Sequence, residues 1–150
     1  MNLFLNNLAE IKISYSTKVP AKDRPSVSSS RDAEKLLRLI YTDIEYRESF
    51  YILLLNRANR VLGFKKISEG GITGTITDVR MILQAALKAN ACAFICCCHN
   101  HPSGNLKPSE VDLKITKKIK EAASIMDIAV LDHLILSEES YFSFADENLM

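Results

Sequence analysis

His99-Asn100-His101, followed by Pro102-Ser103-Gly104 and then by Asp112, brings two imidazoles and one carboxylate into a short stretch of chain. In an extended segment residues i and i+2 point to one face, so His99 and His101 can present their rings together while Asn100 points away. Pro, Ser and Gly then turn the chain, and Pro108-Ser109 starts a helix from whose first turn Asp112 can swing back toward the histidines. Two imidazoles and a carboxylate are the kind of three-ligand set found in catalytic zinc sites, which leave a fourth position to water; structural sites use four protein ligands. Zinc held in this way lowers the pKa of its bound water to about 7, which suits hydrolysis.

The same residues also have a plainer explanation. Ser109-Glu110-Val111-Asp112 has the pattern of a capping box, in which the serine and a carboxylate three residues later satisfy orphan amides. The turn residues need only turn geometry, and two histidines at a strand end can be solvated. Spacing alone leaves both readings standing.

The elements that would position these groups are legible on either side. Cys92 to Cys98 (CAFICCC) is small and apolar on both faces, as expected of a central strand running directly into the histidines. Ser109 caps the next helix, with Val111, Ile115, Ile119 and Ala122 expected on its buried side. Ile128 to Leu136 (IAVLDHLIL) reads as another apolar strand, and YFSF at 141 to 144 as an edge strand.

Upstream, ESFYILLLN (48 to 56) and a run from Val61 (VLGFKKIS) resemble a hairpin with a buried first strand. A helix capped by Ser30 or a neighbouring serine carries Leu36, Leu37 and Ile40 on one face, and Thr77 is expected to cap a helix through about Lys88. Gly70, Gly71 and Gly74 mark loops. EIKISYS (10 to 16) alternates like a half-buried strand, and the Pro- and Ser-rich segment after it reads as a linker. Strands separated by helices predict an α/β fold, a mixed sheet between helices on both faces, with reacting groups collected at strand ends.

With 150 residues, 47% hydrophobic and 25% charged, the chain suits one core. The division expected is an arm over 1–28 and a domain over 29–150. A balance of 19 basic against 18 acidic residues, formal net charge +1, excludes a whole-molecule field that would draw it onto nucleic acid or anionic lipid. The start MNLFLNNLAE lacks a signal-peptide pattern and no apolar run reaches membrane-spanning length, so the expectation is a soluble cytoplasmic protein without a membrane partner. Cys96, Cys97 and Cys98 are consecutive and only Cys92 lies elsewhere, which is no disulfide framework. Strand alternation puts Cys97 on the face of His99, where a thiolate would compete as a ligand; small, inert buried thiols are the ordinary reading.

HNHPSGNLKPSEVD resembles the motif of the JAB/MPN (JAMM) zinc metalloprotease superfamily, and the wording HNHPSG with the later PS and Asp is similar to its RadC-type branch. Thr75, Asp78 and Arg80 in GTITDVR, Thr116, and the Asp132-His133 pair add to that likeness, which covers about residues 30 to 145. The resemblance implies a cytidine deaminase-like fold and Zn²⁺ on His99, His101 and Asp112. It implies Glu48, before the apolar strand, as general base, with Glu45 close enough to be confused with it. It also implies Ser109 as a hydroxyl for the oxyanion, and for His133 a place behind the ligands or beside the substrate. The expected activity is that of a metallopeptidase acting on a peptide or protein through a peptide or isopeptide bond.

Three alternatives have distinct signatures. The branch is customarily named for DNA repair, and longer members carry a helix-hairpin-helix region, whereas here residues 1–28 of strand and linker precede the domain. Nucleic-acid binding would rest on Lys107, Lys114, Lys117 and Lys118, a run that is more often a solvated face. A zinc deaminase needs H-x-E and P-C-x-x-C, and neither string occurs. An inactive interaction domain would usually lack ligand residues, which are all present. Substrate and oligomeric state are left open.

Overall fold

The computed structural model describes residues 7–42, 44, 46–70, 77–101 and 103–150, excepting the side chains of residues 96–100. Five strands form one sheet in the order β2-β1-β3-β4-β5: β1 (Ser49–Leu55), β2 (Val61–Glu69), β3 (Ala93–Asn100), β4 (Ala129–Leu136) and β5 (Tyr141–Ser143). Three helices join them: α1 (Ser30–Ile40), α2 (Val79–Lys88) and α3 (Glu110–Ile125). β3 and β4 are parallel and the other pairs antiparallel, so the expected mixed α/β sheet is what forms. Parallel neighbours need a crossover, and α3 supplies it between β3 and β4.

All seven residues of β1 are buried, which requires cover on both faces of the sheet. β4 shows how the cover is divided. His133 meets Thr116 of α3, while Asp132, its neighbour and therefore on the opposite face, lines a cavity with Ser29 and Ser30 at the start of α1. Leu37 of α1, Ile82 of α2 and Ile119 of α3 are each fully buried against the sheet's apolar strands.

Each helix starts on a side-chain acceptor. Ser29 caps α1 by accepting from the Asp32 amide, and the Ser28 amide and hydroxyl hold the Asp32 carboxyl below its ordinary range. Farther along α1, Arg38 donates to the carbonyls of Ser137, Glu138 and Ser140 and so ties down the turn between β4 and β5.

Three expectations need correction. The cap of α2 is Asp78, not Thr77: its carboxylate accepts from the Arg80 amide at 2.9 Å and pairs with the Arg80 guanidinium. Of the α3 residues expected on one side, Ile119 is buried and Ile115 and Ala122 pack against the core, but Val111 is 73% exposed, and Thr116 and Ala123 complete the buried stripe. Asp112 turns inward at the start of this helix, and its neighbour Val111 is left facing out. Finally, residues 10–16 form no strand; Ile11 and Ile13 are 86% and 73% exposed. Alternation makes a segment fit for a sheet, but a strand exists only where a neighbour takes its backbone groups. Here Tyr15 touches β2 through its hydroxyl, which donates to the Leu62 carbonyl, and pairing with the sheet begins only at the bridge of Ser26 with Arg60. Val27, beside that bridge, is buried in the core. Gly71, Gly74, Thr75, Glu45 and Pro102 lie outside the described residues.

Candidate metal centre

β3 carries the site because it is the central strand and ends in the histidines. Besides a shift against β4 between Phe94 and Ile95, its pairing is irregular at the cysteines. Tyr51 and Ile52 of β1 face Cys98 and Cys96, and His133 and Leu134 of β4 likewise face Cys96 and Cys98, so Cys97 is the extra residue of a bulge on both sides. The expectation that Cys97 shares a face with His99 concerns side chains outside those described. Bulges are enriched next to active sites because they re-aim the residues beyond them.

Beyond the bulge the strand recovers its register. His99 lies opposite Phe50 of β1 and Ile135 of β4 by its backbone; its imidazole is outside the described side chains. His101, just past the strand, remains fastened to the sheet because its amide donates to the Leu136 carbonyl at 2.8 Å. The turn then closes as the Gly104 amide returns to the His101 carbonyl at 3.0 Å, with Gly104 at φ 83°, a backbone conformation that glycine adopts without strain.

This turn orients the ring of His101. Its Nδ1 is 2.5 Å from the Asn105 carbonyl, an atom that can only accept, so Nδ1 carries a hydrogen and Nε2 is the nitrogen whose lone pair a metal would use. Asn105 was not among the residues singled out from sequence. The sign of it was the Ser-Gly-Asn turn, in which the Asn105 side chain also accepts from the Lys107 amide.

Asp112 approaches from the other side. Ser109 and Asp112 form the full capping box: the Asp112 amide donates to Ser109 Oγ at 3.1 Å, and the Ser109 amide donates to Asp112 Oδ2 at 2.7 Å. The capping reading and the ligand reading thus describe one geometry, because the cap itself holds the carboxylate toward the histidine. His101 Nε2 is 3.7 Å from Asp112 Oδ2.

Donors bound tetrahedrally to zinc at 2.0–2.1 Å stand about 3.3 Å from each other, so these two atoms fit a shared ion with a small adjustment. The donor set, one imidazole nitrogen with its partner nitrogen already committed and one carboxylate oxygen, suits zinc chemically. Among the described residues no group of three His, Cys, Asp or Glu side chains converges on one point. The third candidate, His99, reaches the end of the same strand through its backbone.

Glu48 stands directly before β1, half-buried, its carbonyl accepting from the Gly70 amide at 2.8 Å. Phe50 pairs with His99, so Glu48, two residues before Phe50, and His101, two residues beyond His99, leave the sheet at the same end. Ser109 is exposed at the tip of α3; its oxygen takes the Asp112 amide, and its hydroxyl hydrogen remains for donation.

His133 lies deeper and is fully buried. Its ring stacks on Phe144 at 4.3 Å and 7° and meets the edge of Phe50 at 5.9 Å, while Nδ1 is 2.5 Å from Thr116 Oγ1. The adjacent Asp132 accepts from Ser143 Oγ and from the amides of Ala145 and His133. Burial raises its carboxyl above the ordinary range against the pull of those hydrogen bonds.

The four lysines proposed for nucleic acid are all exposed. Lys117 pairs with Glu121 at 3.9 Å and Lys118 acts electrostatically on Asp78, as expected on a solvated helix face. Among the described residues no helix is long and apolar enough to cross a membrane.

Comparison with known proteins matches the chain to a family. The chain is 46% identical over 123 residues to a UPF0758 protein of Flavobacterium johnsoniae, an alignment covering 82% of this chain and 53% of that protein. It is 37% identical over 139 residues to a UPF0758 protein of Porphyromonas gingivalis, covering 90% of this chain and 60% of the relative. The chain thus spans little more than half the length of the curated relatives it matches. The family model described as RadC-like JAB domain matches residues 27–149, from the first buried residue of the core through the last strand, and the chain belongs to that family.

Proposed function

We propose that this chain is the catalytic domain of a zinc-dependent hydrolase, a metallopeptidase that cleaves a peptide or isopeptide bond in a protein substrate. The observation that carries the reading is the meeting of His101 Nε2 and Asp112 Oδ2 at 3.7 Å, with the imidazole oriented by the Asn105 carbonyl and the carboxylate by the Ser109 amide. His99, His101 and Asp112 would hold the ion. Zinc there would polarise the scissile carbonyl and lower the pKa of a water to about 7.

The remaining work falls to side chains at the same end of the sheet. Glu48 takes the proton of the attacking water and returns it to the leaving amine, which splits the acid and base duties in time on one carboxylate. The Ser109 hydroxyl donates to the oxyanion, an interaction that strengthens as charge develops on the carbonyl oxygen. Because the helix cap already positions Ser109, that donation needs little reorganisation during the reaction.

Metal analysis of untagged protein prepared without chelator, followed by a screen of peptide and isopeptide substrates, tests the reading. About one zinc per chain with metal-dependent cleavage is expected. Protein that takes up no zinc when the ion is added back would refute it.

A further inference from the structure

We infer that Thr116, backed by His133, is a positioning residue that fixes where Asp112 stands along the sheet; the inference rests on the zinc reading. The candidate ligands come from separate elements, the histidines from the end of β3 and the aspartate from α3. Their spacing therefore depends on how far α3 slides along the sheet, and the apolar contacts of Ile119 and Ala123 are non-directional.

A polar tie settles the position. Thr116 Oγ1 lies 2.6 Å from the Asp112 carbonyl and 2.5 Å from His133 Nδ1. A hydroxyl has one hydrogen, and a carbonyl can only accept, so Thr116 donates to Asp112 and receives the hydrogen of His133 Nδ1. The line of hydrogen bonds runs from β4 through Thr116 to the main chain of Asp112. Its foot cannot swing, because the His133 ring is fully buried, flat against Phe144 and edged by Phe50, the register partner of His99. Thr116 is itself 3% exposed, so this pair occupies a site where two apolar side chains would pack at less risk. A buried polar pair makes sense there if it selects one docking of the helix, since any slide would strand a donor away from water.

The test measures zinc affinity by chelator competition, independently of turnover, for wild type, Thr116→Val, Thr116→Ser and the double variant Thr116→Val with His133→Phe. Thr116→Val is expected to bind zinc about 10- to 100-fold more weakly, the usual effect of removing a group behind a ligand, with Thr116→Ser close to wild type. The double variant removes the Nδ1 donor together with its acceptor, so it provides a reference should Thr116→Val fail to fold, and it too is expected to bind weakly. Folded Thr116→Val, or the double variant, binding zinc as tightly as wild type would overturn the inference while leaving the zinc reading intact. Wild type that binds no zinc would overturn both.

Discussion

The imidazole of His101 and the carboxylate of Asp112 meet at 3.7 Å although one follows a strand and the other lies in the first turn of a helix. Each is oriented by a main-chain group of its own turn, the Asn105 carbonyl and the Ser109 amide. Removing the ring should remove the metal. His101→Ala is expected to retain less than about a tenth of the wild-type zinc after dialysis, because loss of a direct ligand costs more than the 10- to 100-fold typical of a supporting group. Elemental analysis checks this, and full retention of zinc would take His101 out of the ligand set.

Glu48 separates chemistry from binding. In Glu48→Gln the amide cannot take a proton, so cleavage should fall by about 10²- to 10⁴-fold while zinc content stays at the wild-type level. Parallel measurements of turnover and metal decide the matter. Zinc lost along with activity would make Glu48 a ligand or a structural residue.

The cap that Ser109 forms and the catalytic role proposed for it can be split. Ser109→Ala removes both the cap and the hydroxyl, and is expected to lower unfolding free energy by about 1 kcal/mol. It should also slow kcat by about 10²-fold, as loss of an oxyanion donor does. Ser109→Asp restores an N-cap acceptor without a donor. Stability recovered in denaturant titrations with kcat still low would support the catalytic part; kcat that recovers with stability would leave Ser109 only a cap.

Asp132 predicts a pH dependence. Burial holds its folded pKa above the unfolded value of about 3.9, so the folded state prefers the protonated carboxyl. Its contribution to stability is fully present below the unfolded pKa and is lost as pH rises through the folded one. Asp132→Asn cannot ionise. The stability of wild type relative to this variant is therefore expected to increase as pH is lowered from neutrality toward the unfolded carboxylate pKa, read from paired denaturant titrations. A difference that is flat with pH, or that shrinks on acidification, would contradict the assignment.

Nucleic acid remains a measurable alternative. A duplex titration at two salt concentrations should show no binding that weakens steeply with salt, since the exposed lysines of α3 share their face with Glu121 and with Asp78 of α2. Tight binding at low salt that collapses at high salt would reopen it.

What sequence determined about this protein is what short-range physics encodes. Ser109 and Asp112 form a capping box in almost any helix, CAFICCC is apolar enough to become a central strand, and ESFYILLLN followed by the run from Val61 makes a hairpin. The family motif could be read for the same reason, because its residues lie within one turn of chain on either side of a bend.

Tertiary structure decided whatever needs a partner from elsewhere. EIKISYS has the alternation of a strand but remains exposed, since alternation cannot supply the neighbouring edge that completes its hydrogen bonds. Val111 faces out and Thr116 faces in because α3 rotates to bring Asp112 toward His101 and Thr116 onto His133, a demand made by β4 and invisible in the helix's own periodicity. The Cys97 bulge appears only when β3 is read against a neighbouring strand, β1 or β4. Caps and periodicities act over a few residues, whereas the distance between two ligands on different elements is set by how those elements dock.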